Sequence, residues 1–140
     1  MIVSNALSFA QKELKKQNIK SNIIDSEVLL SYILQRERSS LLINRDNYII
    51  SKFQFNKFKD LIEQRKKRKP VSQIIGKKYF WKYCFHINKF TLTPRPETEH
   101  LIELSLKNIN NFKKSSILDI GTGSGCIIIS LLKESESSNG

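Results

Sequence analysis

The chain has 140 residues, 39% of them hydrophobic, and a formal net charge of +11. This length and apolar content correspond to one ordinary domain or two small ones and exclude a disordered chain. No apolar run approaches the ~20 residues of a membrane span, and the N-terminus lacks the pattern of a secretory signal, so we expect a cytoplasmic protein that binds no membrane.

The positive charge is densest in the run Arg65-Lys66-Lys67-Arg68-Lys69. Such a run ordinarily indicates nucleic acid or an acidic partner. Lys, Ile and Asn are all over-used, as in AT-rich coding sequences, so codon bias accounts for part of the lysine content. Aromatic residues do not alternate with the basic ones, as a base-stacking surface would require. We therefore expect a solvated or protein-binding basic face and no direct binding of nucleic acid.

The cysteines and histidines form no recognisable site. Cys84 and Cys126 lack metal or redox spacing and lie in apolar contexts, which predicts reduced, buried thiols. His86 and His100 are isolated in the sequence, so a structural or surface role is predicted for each. No metal site is expected.

Apolar residues recur at helical spacing throughout residues 1–70. The pattern predicts one amphipathic helix within residues 5–16 and a second one that Asp25 caps. The stripe of the second helix comprises Val28, Leu29, Tyr32 and Ile33. A short helix is predicted at residues 39–43, and a last one stops before Pro70, because proline disfavours helix at the preceding residue. The apolar positions of this last helix are Phe55, Phe58, Leu61 and Ile62. A small helical bundle follows, in which the stripes form the core.

The pattern changes after Pro70. Residues 79–87 are rich in aromatic and β-branched side chains, and Phe85, Ile87 and Phe90 surround polar positions, which predicts a β-hairpin. We expect this hairpin to join the helical bundle to an α/β unit.

A rigid loop follows at residues 91–99, where two prolines fix φ. Pro96 suits the first turn of a helix, and Glu97 and Glu99 favour the positive end of that helix. A stiff, well-capped linker without further function is the alternative. The helix itself is indicated by Ile102, Leu106 and Ile109.

Three alternating glycines, Gly121, Gly123 and Gly125, separate two apolar runs. The pattern predicts a buried strand over residues 117–120, a tight turn, and a helix over residues 126–132. Glycine accepts positive φ and lets a ligand approach the backbone. The unpaired N–H groups at the start of the helix favour an anionic ligand group.

The spacing around the glycines narrows the choice of ligand. A Walker loop needs Lys and Ser or Thr after its last glycine, but Cys126 and Ile127 follow here. A dinucleotide fingerprint needs its third glycine where Cys126 stands, which weakens that interpretation. Asp-x-Gly-x-Gly-x-Gly, with Asp119 on the strand end, resembles the first motif of S-adenosylmethionine-dependent methyltransferases. A glycine-rich turn that binds nothing is the alternative.

Two motifs together resemble those of the peptide chain release factor N5-glutamine methyltransferases. They are Thr93-Pro94-Arg95-Pro96-Glu97-Thr98-Glu99 and Leu118-Asp119-Ile120-Gly121-Thr122-Gly123-Ser124-Gly125. Asp25-Ser26-Glu27-Val28-Leu29-Leu30 resembles a helix of the family's first domain. Further matching positions are Arg65, Pro70, Ile74, Gly76, Phe80, Phe85 and Ile87. The resemblance extends to about Leu132, and Lys82 stands where the family commonly has a glycine in the hairpin turn.

The resemblance implies a fold with an N-terminal α-helical bundle, a β-hairpin linker, and the first β-α unit of an α/β Rossmann-like methyltransferase domain. In this division, residues 1–70 are a helical substrate-docking domain, residues 71–97 are the hairpin and Pro-rich linker, and residues 98–140 begin the cofactor-binding domain. That last domain is incomplete in this sequence.

The reaction that the resemblance implies is methyl transfer from S-adenosyl-L-methionine to the side-chain amide nitrogen of the Gln in the Gly-Gly-Gln motif of peptide chain release factors. The implied active-site loop is Arg95, Pro96 and Glu97. The implied cofactor-binding residues are Asp119, Gly121, Thr122, Gly123, Ser124 and Gly125. A monomer with release factors as partners is expected.

The family holds the substrate amide with an Asn-Pro-Pro-Tyr segment, which does not occur in this sequence. We therefore expect no catalytic residue in these 140 residues and no activity from them by themselves. A non-catalytic release-factor-binding fragment or a decayed gene product are the alternatives. The polar ending, residues 134–140, resembles a frayed terminus. Because one β-α unit leaves apolar surface uncovered, the helical region should be better ordered than residues 101–140.

Overall fold

The computed structural model describes residues 1–109, 115–135 and 138–139. These residues form two compact units, Met1–Ile75 and Gly76–Gly140, and each is described by itself. Part of the predicted frayed ending, at residues 136, 137 and 140, lies outside the described residues.

The first unit is helical, as the periodicity predicts. Its elements are α1 (Val3–Lys16), α2 (Asn22–Leu34), α3 (Arg38–Ile43), α4 (Lys52–Lys66) and α5 (Val71–Ile75). The first four confirm predicted helices, whereas the short α5 was not predicted. Helices α1, α2 and α4 pack against one another around one apolar core. Its fully buried large side chains are Leu14, Leu29, Leu30, Leu41, Ile50, Phe58 and Ile62.

The predicted capping role of Asp25 is wrong. Helix α2 begins three residues earlier, at Asn22, and Asp25 lies in its first turn, 8% exposed. The Asp25 carboxylate accepts hydrogen bonds from the Ser21 hydroxyl (2.7 Å) and from Nε of Arg65 on α4 (2.8 Å). Because a buried carboxylate requires such partners, the ion pair with Arg65 accounts for its position between α2 and α4.

The buried face of α2 is also displaced from the predicted stripe. Leu29 is buried as predicted, but Tyr32 is 45% exposed, and Leu30 and Leu34 occupy the core. Helix α2 is apolar on several sides, so periodicity cannot decide which of these sides its neighbours cover.

The second unit begins with the predicted hairpin. Strands β1 (Lys77–Phe80) and β2 (Tyr83–His86) are antiparallel, with Phe80 opposite Tyr83 across a two-residue turn. Trp81, the first turn residue, has φ +56°, a left-handed conformation that a non-glycine residue rarely adopts. The hairpin is shorter than predicted, because Phe90 lies beyond β2 and is 85% exposed.

The alternation of β2 corrects the prediction for one cysteine. Phe85 and Ile87 are buried, so Cys84 and His86 lie on the opposite, solvent-facing side of the strand. Cys84 is therefore an exposed thiol, whereas Cys126 is buried as predicted; neither is bonded to another cysteine.

A 3₁₀ turn (Pro96–Thr98) leads into α6 (Glu99–Ile109), which confirms that Pro96 opens a helix. Further along lies α7 (Cys126–Glu134), the helix predicted after the glycines. The core of this unit combines the hairpin with both helices. Its buried side chains are Phe80, Phe85, Ile87, Ile102, Cys126 and Leu131.

The predicted strand over residues 117–120 is wrong. In this part of the described chain the strand is β3 (Ser115–Ser116), which ends before residue 117 and pairs in parallel with β4 (Ser138–Asn139). Leu118 and Ile120 are 83% and 87% exposed. A parallel strand persists when neighbours pair with it and helices cover it, and within the described residues β4 does not extend alongside residues 117–120.

Candidate functional site

The turn between Asp119 and α7 has the backbone that its glycines predict. Gly121, Gly123 and Gly125 have φ values of +80°, +56° and +75°. This left-handed region costs other L-residues roughly 1–2 kcal/mol, so all three positions favour glycine. The backbone of the glycine-rich turn, residues 121–125, therefore has the conformation that the glycines predict.

The three glycines differ in what surrounds them. A Cβ at Gly121 would meet no atom within 4 Å, and one at Gly123 would lie 3.8 Å from the Gly121 carbonyl oxygen. A Cβ at Gly125 would come within 2.9 Å of Cδ1 of Ile129. The far end of the Ile129 side chain therefore occupies the space beside Gly125, whereas Gly121 and Gly123 leave room in which a ligand could approach the backbone.

Two side-chain oxygens at this turn are buried without a hydrogen-bond partner among the described residues. They are Oδ2 of Asp119 and Oγ of Ser124. A buried polar atom without a partner is costly, and a carboxylate oxygen accepts hydrogen bonds from hydroxyl or amine groups. Among the described residues this oxygen of Asp119 therefore has no donor, and a ligand could supply one.

The Pro-rich loop, defined here as Arg95, Pro96 and Glu97, is exposed, and the Thr98 N–H closes its turn onto the Arg95 carbonyl at 3.1 Å. Within the described part of the chain, no hydrogen bond or ion pair joins this loop to the glycine-rich turn. Among these residues, direct polar contacts therefore do not connect the two segments that were predicted to form the site.

Three polar contacts of the hairpin were not predicted. Glu99 Oε1, besides lying in the first turn of α6, accepts the Trp81 N–H at 2.9 Å. Glu134 accepts hydrogen bonds from the Lys82 ammonium and, at 2.6 Å, from the Tyr83 hydroxyl. Lys82 and then Tyr83 hold the pKa of Glu134 below its usual value, and this hydrogen bond to Glu134 raises the pKa of Tyr83. No local pattern indicates pairs so distant in sequence.

The basic run at the end of α4 is largely engaged within its own unit. Lys66 binds Glu13 and Glu63, and Arg68 donates to the Gln17 carbonyl at 2.7 Å. The hydrogen bond from Lys16, and then the one from Lys66, lowers the pKa of Glu13, and the hydrogen bonds to Glu63 and then to Glu13 raise the pKa of Lys66. Lys69 donates to the Gln64 side chain, and Arg65 pairs with Asp25. The Lys66–Glu13 and Arg65–Asp25 pairs join α4 to α1 and to α2, and with the other contacts they leave most of the run engaged and not a free basic surface.

Two further classes of site were sought among the described residues. No three His, Cys, Asp or Glu side chains there are grouped so that they could hold a metal ion. None of the described helices combines the length and the apolar character needed to cross a bilayer.

The family model and the similar proteins indicate the same family for this chain. Residues 5–76 match the family model described as the PrmC N-terminal domain. The chain is 40% identical to a release factor glutamine methyltransferase of Clostridium acetobutylicum, with 95% of this chain and 46% of the relative aligned. The corresponding protein of Leptospira interrogans is 37% identical, over 89% of this chain and 44% of the relative. A bifunctional methyltransferase of Rickettsia felis is 31% identical, over 94% of this chain and 30% of the relative.

The matches extend well beyond the helical unit. An alignment that covers 95% of the chain includes both the Pro-rich loop and the glycine-rich turn. The chain spans a little under half the length of the first two of these relatives.

Proposed function

The chain belongs to the release factor glutamine methyltransferase family, and from this premise we propose that it supplies the docking region and the first cofactor-binding segment of such an enzyme. The proposed division assigns release-factor docking to residues 1–70, the hairpin linker to residues 71–97, and the start of the cofactor domain to residues 98–140. The enzyme acts in the cytoplasm as a monomer.

The glycine-rich turn is proposed to hold S-adenosyl-L-methionine. Gly121 and Gly123 let the ligand lie against the backbone, and Asp119 accepts a hydrogen bond from a ligand donor group. Thr122, Ser124 and Gly125 complete the turn, and Ser124 contributes its buried hydroxyl. When bound, the cofactor supplies a sulfonium-activated methyl group, which a nitrogen nucleophile takes up as the carbon–sulfur bond breaks and the nitrogen loses a proton.

The proposed acceptor is the side-chain amide nitrogen of the Gln in the Gly-Gly-Gln motif of a release factor. An amide nitrogen is a poor nucleophile, because its lone pair is delocalised into the carbonyl, so its N–H groups must be held by acceptors. The family's Asn-Pro-Pro-Tyr segment does this, and this sequence contains none. We therefore assign no catalytic residue here; Arg95, Pro96 and Glu97 border the site.

One observation carries the proposal: a buried carboxylate oxygen of Asp119 without a donor, directly before three glycines with positive φ. A structural turn would not need an unpaired buried acceptor, whereas a ligand-binding turn uses it.

Calorimetry of the 140-residue chain with S-adenosylhomocysteine tests the proposed cofactor site. Asp119→Asn should weaken binding about 10- to 100-fold, since hydrogen bonds to charged groups contribute roughly 1.5–3 kcal/mol. Glu103→Gln, an exposed carboxylate on α6 that contacts His100, is the matched control and should bind normally. Equal affinity of the Asp119→Asn variant and the parent chain would contradict the assignment.

Incubation with labelled S-adenosylmethionine and a release factor tests the proposed substrate. We expect the chain to retain the release factor in a pull-down and to incorporate no label by itself. Methyl incorporation that a Gln→Ala change in Gly-Gly-Gln abolishes would confirm the target and refute the claim that these residues are insufficient for catalysis.

A further inference from the structure

The tip of the hairpin, defined here as residues 81–83, is held by carboxylates from two different helices. Glu99, the first residue of α6, accepts the Trp81 N–H at 2.9 Å. Glu134, the last residue of α7, binds the Lys82 ammonium and the Tyr83 hydroxyl. A hairpin that served only as a linker would not need both contacts.

The contact with Glu134 is sheltered and specific. The Glu134 side chain is 15% exposed and the Lys82 side chain 64%, so the carboxylate is the more buried member of the Lys82–Glu134 ion pair. Lys133 places Nζ 4.7 Å from the centroid of the Tyr83 ring, which holds the phenol from its face. Hydrogen bonds to an ionised acceptor are shorter and stronger than neutral ones, as the 2.6 Å distance from Tyr83 illustrates.

The two helices that hold the tip also begin at the two proposed site segments. Helix α6 follows Arg95, Pro96 and Glu97 directly, through the 3₁₀ turn. Helix α7 follows Gly125, and its first residue, Cys126, is buried in the same core cluster as the hairpin residues Phe80 and Phe85. Helix α7 is therefore held to the hairpin at its last residue by Glu134, and its first residue is buried in the core that the hairpin and both helices share.

Regular helices move as rigid elements, so holding the last residue of α7 to the hairpin, with its first residue buried in the shared core, restrains the residue before the helix, Gly125. The same reasoning applies to Glu99, which lies directly after the turn that carries Glu97. No hydrogen bond or ion pair between the described residues joins residues 95–97 to residues 121–125, whereas the hairpin tip contacts the helix that follows each of these two segments.

We propose that the hairpin tip is the common anchor of the two site segments, with Glu99 as the positioning residue of the Pro-rich loop and Glu134 as that of the glycine-rich turn. The proposal rests on the proposed function in one respect: it takes the glycine-rich turn to be the cofactor site. It adds that the affinity of this site depends on a carboxylate at the far end of α7.

The test compares Glu134→Gln and Tyr83→Phe with the control Glu103→Gln in the 140-residue chain. Each of the first two should weaken S-adenosylhomocysteine binding about 2- to 30-fold, the range for residues that act through a packed element. Amide hydrogen exchange should accelerate at residues 121–125 in both, and the control should match the parent chain. Glu99→Gln should accelerate exchange at residues 96–98 instead.

A double variant separates positioning from general stability. Because Tyr83 and Glu134 act through one contact, Tyr83→Phe combined with Glu134→Gln should weaken binding no more than the stronger single change. A lower melting temperature with unchanged affinity and unchanged exchange at residues 121–125 would overturn the proposal. If the parent chain binds no S-adenosylhomocysteine, the proposed cofactor site fails, and exchange at residues 121–125 still decides the positioning role.

Discussion

At Gly121 two contributions of glycine to a ligand-binding turn can be distinguished: tolerance of a left-handed backbone and room for a ligand. Its φ of +80° disfavours most L-residues, yet a Cβ there would meet no atom within 4 Å. Backbone strain is therefore the intramolecular cost of a substitution, and any further effect must come from a ligand that occupies the open space.

Paired substitutions at Gly121 follow from this. Gly121→Ala should lower the free energy of unfolding by about 1–2 kcal/mol, whereas Gly121→Asn should cost less, because asparagine tolerates the left-handed region. Both should weaken S-adenosylhomocysteine binding, since both add a Cβ where the ligand approaches. Urea denaturation and calorimetry measure the two effects. Loss of binding in the alanine variant alone would show that strain, and not ligand approach, explains the glycine.

Asp25 and Asp119 show how a residue's surroundings decide its role. The sequence predicts a boundary position for both acids, the start of a helix for Asp25 and the end of a strand for Asp119. Asp25 is bound by Ser21 and Arg65, whereas Oδ2 of Asp119 has no partner within the described residues. The first is therefore structural, and the second remains available to a ligand.

At the scale of elements, the hairpin is attached by groups that titrate. The pKa of Glu134 is lowered by its hydrogen bonds with Lys82 and Tyr83, from an ordinary glutamate value of 4.5. A depressed pKa in the folded state means that the ionised carboxylate contributes stability above pH 4.5, and this stability is lost as the pH falls through the lower, folded value.

Acid titration of the hairpin contact should follow this sign. Between pH 7 and pH 5 the stability contributed by Glu134 should be constant, and it should fall below about pH 4.5. Chemical denaturation of the parent chain and of Glu134→Gln at each pH measures the difference, which should shrink as the pH falls. A difference that stays constant down to pH 3 would contradict the charge-assisted contact.

The elements also show the limits of periodicity. Helix α4 matches its predicted stripe, since Phe58 and Ile62 are buried and Phe55 and Leu61 pack against the same core. Helix α2 does not, because its apolar side chains surround more of its circumference. The Ser51–Gln54 capping box at α4 could have been found in the sequence, since its two side chains are only three residues apart.

For the whole chain, burial differs between the helical core and the segment before the glycines. Leu14, Leu29 and Phe58 are fully buried, whereas Leu118 and Ile120 are more than four-fifths exposed. Local opening is easiest where few apolar contacts and few backbone hydrogen bonds must break.

Hydrogen exchange should therefore differ along the chain. Core amides of α1, α2 and α4 should exchange about three orders of magnitude more slowly than those of residues 117–120, because opening free energies run from about 0 to the global value of at least ~5 kcal/mol. Mass spectrometry of proteolytic peptides from the 140-residue chain measures this. Strong protection throughout residues 117–132 would contradict it.

The sequence by itself determined the structural features that depend on residues close to one another along the chain. Helical spacing located α1, α3 and α4, proline located the start of the 3₁₀ turn, and alternating glycines located the left-handed turn. These features are local because each depends on backbone preferences within a few residues. The motifs formed by these residues also predicted the family, which the comparisons confirmed.

Only the tertiary structure decided which side chains meet across long separations. Arg65 draws Asp25 into an interface 40 residues away in sequence, and Tyr83 reaches Glu134 over 51 residues. Tertiary structure also decided the conformation of residues 117–120, where β propensity is high but a strand needs neighbouring strands with which to pair. Such contacts depend on how helices and strands pack against one another. Local patterns in the sequence do not show this packing.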